Sequence, residues 1–152
     1  MLTIYRIVKA RHARAVLTGE GARLAGGRWN RPGETVVYAS ASLALAVIET
    51  FIHLGEDGLN IKFVSFTIAI PDSVAIERCR RPPRNWRAEP PGSESMRYGS
   101  RWLRVGRTAV LEVPSAIVPL EKNYLLNPGH PDFRKIRLGR ALPFVFDPRM
   151  WG

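Results

Sequence analysis

Residues 26–54, GGRWNRPGETVVYASASLALAVIETFIHL, decide how the rest of the chain is read. They describe a glycine-rich loop, a tight turn, a short strand and then a helix. Asn30-Arg31-Pro32-Gly33 fits a type I or II turn, because proline presets φ and glycine accepts a positive one. Thr35–Ala39 is β-branched and aromatic, which predicts a strand. Ser40 or Ser42 then caps LALAVIETFIHL, a run long and apolar enough to be helix rather than strand. A cation (Arg28), a phenol (Tyr38) and a carboxylate (Glu49) are thereby mounted on consecutive elements. At helical spacing, Ser42, Ala46, Glu49 and His53 form one narrow stripe, with Leu45, Ile48, Phe51 and Ile52 covering the rest. That stripe is either the solvent face of an amphipathic helix or, if the helix is largely buried, a carboxylate in a cleft. In a cleft, Glu49 can stabilise a cationic centre or act as a base.

Upstream, Thr3–Val8 alternates as a strand, with Arg6 on the same face as Leu2, Ile4 and Val8. An arginine on an apolar face needs an anion, either a carboxylate of the fold or a phosphate of a ligand. His12–Leu17 predicts a short helix stopped by Gly19 and Gly21. The next ten residues, GARLAGGRWN, hold three glycines and two arginines. Glycine allows close approach of backbone to a ligand and arginine offers bidentate donors, yet neither dinucleotide nor P-loop spacing is present.

Downstream, Asn60–Ile70 alternates cleanly as a strand, and Asp72–Ile76 is a further extended piece. From Arg78 to Gly92 the chain carries five arginines, four prolines and Trp86, a surface loop suited to a lid or a partner contact. Ser93–Val105 predicts a helix with Ser93 as cap, a basic stripe at Arg97, Arg101, Arg104 and Arg107, and Met96, Trp102, Leu103 and Val105 for packing. Thr108–Val113 and Asn123–Asn127 read as strands, Pro131–Leu138 as a short basic helix and Ala141–Phe146 as a closing strand. Ser115 has no His-Asp arrangement and no GxSxG context, so its hydroxyl is read as a hydrogen-bond donor to a ligand rather than a nucleophile.

At 152 residues, with 45% hydrophobic and 24% charged residues, the chain is expected to form one compact domain. It lacks an apolar run of the roughly 20 residues needed to span a bilayer, and with one cysteine it can form no internal disulfide. A cytoplasmic protein without membrane association follows as the expectation. The three histidines show no metal-ligand spacing, so no metal is expected. The net charge is +10, and 19 of the 23 basic residues are arginine. Such a balance invites a polyanion or an acidic partner, or is simply a solvated basic face.

These segments resemble the RES domain, the toxin half of bacterial RES–Xre toxin–antitoxin pairs. The resemblance runs through IYRI, GARLAGGRWN, VVYAS, ALAVIETFIHL, SRWL, VPSAIVP and NYLLNPGHPDF, and so spans residues 1–152. The Arg, Glu and Ser of the family's name match Arg28, Glu49 and Ser115. Where the family pattern has Asp before RWL, this chain has Ser100. The resemblance implies a mixed α/β fold like that of ADP-ribosyltransferase toxins, with a central, mostly antiparallel sheet and flanking helices. It also implies NAD⁺ as a substrate rather than a cofactor, consumed by hydrolysis, phosphorolysis or ADP-ribosyl transfer to a protein. Glu49 would stabilise the oxocarbenium-like transition state. Arg28, with Arg6 as second candidate, would hold the diphosphate or ribose, Tyr38 would stack on nicotinamide, and Ser115 would orient a ribose or amide group. An Xre-like antitoxin in an oligomeric complex is the implied partner, and direct nucleic-acid binding is not. Two competing readings are an RNA-binding or RNA-cleaving basic toxin and a noncatalytic binding module.

Overall fold

The computed structural model describes residues 1–152. Strands β1 (Leu2–Lys9), β2 (Val37–Ser40), β3 (Phe63–Ile70), β4 (Ile76–Arg78), β5 (Val110–Pro114), β6 (Lys122–Leu126), β7 (Arg137–Leu138) and β8 (Leu142–Phe144) form one sheet. Its order is β4-β5-β6-β2-β1-β3-β7, with β8 also on β3. Every pairing is antiparallel except β4 with β5. The sheet is therefore mixed at one edge. That edge follows from the connection, because a helix lies between β4 and β5 and returns the chain in the same direction.

Three α-helices accompany the sheet: α1 (Glu20–Ala25), α2 (Leu43–Phe51) and α3 (Ser93–Val105). Ser42 caps α2, its Oγ accepting from the Leu45 N–H at 3.0 Å. The extended piece after Pro71 forms its strand at 76–78, and 131–135 is a 3₁₀ turn rather than a longer helix. α1 is a departure from expectation, since half of GARLAGGRWN is helical. It ends at Gly26, whose φ of +73° suits glycine.

Strand alternation separates two sides. Ile4, Val37, Ala39, Ile68, Ile70, Val110, Tyr124 and Leu126 make the main core on one side. On the other, two clusters sit side by side. Trp102 of α3 packs there with Trp29, Val36, Cys79, Leu111, Val113 and Leu125, while Ala46 of α2 packs with Ile7, Phe63 and Phe146. α3 packs through small residues, Ser95, Gly99 and Ser100, as well as Trp102, whereas Val105 is 55% exposed. The reason is close approach: a Cβ on Gly99 would lie 1.7 Å from the Trp29 carbonyl oxygen. No helix is long and apolar enough to cross a membrane.

Candidate functional site

α2 delivers Glu49 to the seam between the two clusters. Leu45 and Ala46 are buried, Glu49 is half-buried, and Ile48 and Ile52 are exposed at 38% and 58%. The helix is thus not buried around most of its circumference. Its solvent side is apolar and its carboxylate faces inward, the reverse of an ordinary amphipathic surface helix. Glu49 Oε2 accepts from Ser115 Oγ at 2.8 Å and, through a shorter contact, from Asn123 Nδ2. Hydrogen bonds to an ionised carboxylate contribute about 1.5–3 kcal/mol each. Two of them outweigh the up to about 2 kcal/mol of rotamer freedom that holding a glutamate costs. Oε1 has no partner within the protein, and because no buried side-chain oxygen is unpaired, it is open to solvent.

Ser115 is fully buried just beyond β5. Its Oγ accepts from the Ile117 and Val118 N–H groups, both at 3.1 Å, while donating to Glu49. Its contact is therefore the carboxylate itself.

Arg28 and Tyr38 belong to a second set of contacts, made by the glycine-rich loop and β2. Tyr38 lies two residues before Ser40 on β2 and shares its side of the sheet. Its hydroxyl donates to Asn30 Oδ1 at 2.7 Å and accepts from the Trp29 N–H at 3.1 Å, and burial raises its pKa well above the ordinary phenol value. Fully buried Asn30 completes the corner by donating to the carbonyls of Ala22, Arg31 and Glu34. Arg28 Nη1 donates to the carbonyls of Trp86 and Ala88 at 2.9 and 2.7 Å, and Nη2 pairs with Glu89 at 2.8 Å. Trp86 stacks on Trp29 with centroids 6.2 Å apart, and Arg87 donates to the Ala116 carbonyl at 3.0 Å. The arginine- and proline-rich segment is accordingly a strap, fastened over residues 86–89 both to the glycine-rich loop and to the turn that follows Ser115.

Arg6 has a different setting. It follows Tyr5 on β1 and projects to the opposite side of the strand from Tyr5 and Ile7, which pack with Ala46 of α2. Nε donates to the Val16 carbonyl at 3.1 Å and Nη1 to the Tyr38 carbonyl at 2.7 Å. The salt bridge expected of an apolar-face arginine is not formed, and burial brings its pKa down to about 10. β1 meets β2 at the single register pair Tyr5↔Ser40, so the Arg6 side chain braces two diverging strands.

Glu49 and Ser115 are brought into contact, whereas Tyr38, Arg28 and Arg6 hydrogen-bond to other partners and lie outside that group. Sequence reasoning did not find Asn123, Ser40 or Asn30. The motif fragments NYLLN, VVYAS and RWN contain all three, but their roles depend on strand register. Two surface depressions, of about 340 and 430 Å³, lie elsewhere, and neither is lined by Glu49, Arg28 or Tyr38.

Comparison with known proteins adds three findings. The pattern of the RES domain family matches residues 3–147. A protein of Sphingobium sp. (strain YBL2) named "Prs ADP-ribosylating toxin" is 44% identical over 138 residues, 88% of this chain and 86% of that protein. Proteins named "Toxin Res" from Yersinia enterocolitica and Photorhabdus laumondii are each 38% identical over 151 residues, 98% of this chain and 99% and 97% of theirs.

Proposed function

The chain belongs to the RES domain family, and from that premise we propose that it is a toxin that binds NAD⁺ and cleaves the nicotinamide–ribose bond. The supporting observation is the Glu49 carboxylate, tied back through Oε2 and open to solvent at Oε1. As the glycosidic bond breaks, its electron pair leaves with nicotinamide and positive charge develops on the ribose. A carboxylate about 4 Å from that charge, at an effective dielectric near 20, is worth about 4 kcal/mol, roughly a thousandfold in rate. The acceptor that then bonds to the anomeric carbon is water, phosphate or a protein side chain. The name of the Sphingobium relative favours a protein acceptor for that relative, and it makes transfer the first alternative to test here.

In this proposal residues 1–152 act as one RES domain, and Tyr38 offers a ring face to nicotinamide. Arg28 meets the diphosphate by exchanging its exposed partner Glu89, since an ion pair with one half in solvent holds by only about 0–1 kcal/mol. An antitoxin covering the cleft is the proposed partner, and the basic exterior suits an acidic one. The test is to incubate purified protein with NAD⁺, with and without phosphate and a cell extract, and to resolve the products by mass. ADP-ribose, its 1″-phosphate or ADP-ribosylated protein each support cleavage and identify the acceptor. Intact NAD⁺ in all three conditions, with RNA degraded instead, would favour the RNA-directed reading.

A further inference from the structure

We propose that Asn123 and Ser40 are positioning residues that hold Glu49 with a single oxygen, Oε1, presented to the substrate. This deepens the NAD⁺-cleavage reading and rests on it. The donor–acceptor pattern around the carboxylate has one solution. A hydroxyl offers one proton and two lone pairs. The Ile117 and Val118 N–H groups occupy the Ser115 oxygen, so its proton goes to Glu49 Oε2. Asn123 must turn its NH₂ toward the same oxygen, because the flipped amide would set its own carbonyl against a carboxylate. Its Oδ1 then requires a donor, and the Ser40 hydroxyl stands 2.7 Å away. The protons of the relay all point toward the carboxylate, from Ser40 to the Asn123 amide oxygen and from Asn123 and Ser115 to Oε2, so Oε2 is an acceptor only. Any proton or substrate hydroxyl that Glu49 engages meets it at Oε1.

The sheet sets this geometry. Ser40 and Asn123 are register partners across β2 and β6, so their side chains emerge together on the side that α2 covers. Ser40 is 4% exposed, which keeps water from competing for the amide oxygen. Backbone pairing between two strands thus fixes the orientation of a carboxylate carried on a helix, the kind of preorganisation that electrostatic stabilisation of a developing charge requires.

The test measures NAD⁺ turnover kinetics and NAD⁺ binding by calorimetry for the wild type, Asn123→Ala, Ser40→Ala and Asn123→Ala combined with Glu49→Gln. Asn123→Ala is expected to lower kcat on the order of 10- to 100-fold. KM and the NAD⁺ dissociation constant should stay within about twofold, because ground-state contacts are untouched. Ser40→Ala lowers kcat less, in the same direction, by letting the amide rotate, and it serves as the readout should Asn123→Ala melt near the assay temperature. In the Glu49→Gln background the Asn123 substitution should cost nothing further, since it acts through a group already removed. An unchanged kcat in a folded Asn123→Ala or Ser40→Ala protein would overturn the inference, as would a loss appearing mainly in NAD⁺ binding. Wild-type protein without NAD⁺ turnover overturns the cleavage reading and this inference together, whereas wild-type turnover with unaltered variants overturns the inference alone.

Discussion

Ser115 shows how much a single side chain carries at the residue scale. Replacing it with alanine removes one of the two donors to Glu49 and leaves the Ile117 and Val118 N–H groups without their acceptor. A buried unsatisfied donor costs about 1–3 kcal/mol. Ser115→Ala should therefore lower both the melting temperature and NAD⁺ turnover, which calorimetry and kinetics on one preparation would separate. Glu49, Ser115, Arg28 and Tyr38 were legible in the sequence as residue types in suggestive contexts. What they touch was not. The resemblance casts Ser115 as orienting a ribose or amide group, and in the structure its hydroxyl donates to the Glu49 carboxylate. Arg6 was weighed between a core carboxylate and a ligand anion, and its partners are backbone carbonyls instead. Asn123 stayed hidden because its partner Ser40 is 83 residues away, and only strand pairing relates them.

Element boundaries were more legible. The spacing of Ser93–Val105 gave the span of α3, although its N-cap is Gly92 rather than Ser93, and Ser42 acted as the cap of α2 through its side chain. The packing face of α3 was legible in part: Trp102 and Leu103 pack beneath the basic stripe as expected, whereas Val105 is exposed and the close contact of Gly99 with the Trp29 carbonyl leaves no apolar signal. Gly99→Ala should lower stability by about 1–3 kcal/mol, the range for overpacking a tight contact, and should displace the loop that carries Arg28. Thermal melting checks the first part and NAD⁺ turnover the second. Ser100 donates to Glu34 at 2.6 Å, and an aspartate there would set two carboxylates against each other. The strap over residues 78–92 gives a further test. Arg28→Ala removes its half-buried fastening to two carbonyls, so trypsin should cut after Arg84 or Arg87 markedly faster than in the wild type. Glu89→Gln removes only an exposed ion pair and should leave the cleavage rate nearly unchanged.

Across the whole molecule, the sheet brings together groups that sequence order scatters, and the strand order β4-β5-β6-β2-β1-β3 follows no local signal. Individual strands and helices were legible from periodicity and the mixed α/β class from the family resemblance, whereas the order was not, because pairing partners lie far apart along the chain. Burial also gives the fold a collective pH response. Tyr38, Tyr98 and Tyr124 all keep their protons beyond the ordinary phenol value of 10, Tyr124 being pushed up to about 12 by burial and by its bond to Glu112. Above pH 10 the unfolded chain releases these protons and the folded chain retains them. Stability is therefore complete below that pH and is lost as pH rises toward 12. Melting temperature and tyrosinate absorbance, followed together from pH 9 to 12, should fall and rise in one transition. The central claim is that Glu49 on this scaffold cleaves NAD⁺. The most direct measurement is NAD⁺ loss by purified wild-type and Glu49→Gln proteins, with folding checked by melting. Wild-type turnover with a loss of at least about a hundredfold in Glu49→Gln is expected from the electrostatic stabilisation assigned to the carboxylate. Equal turnover by the two folded proteins would contradict the claim.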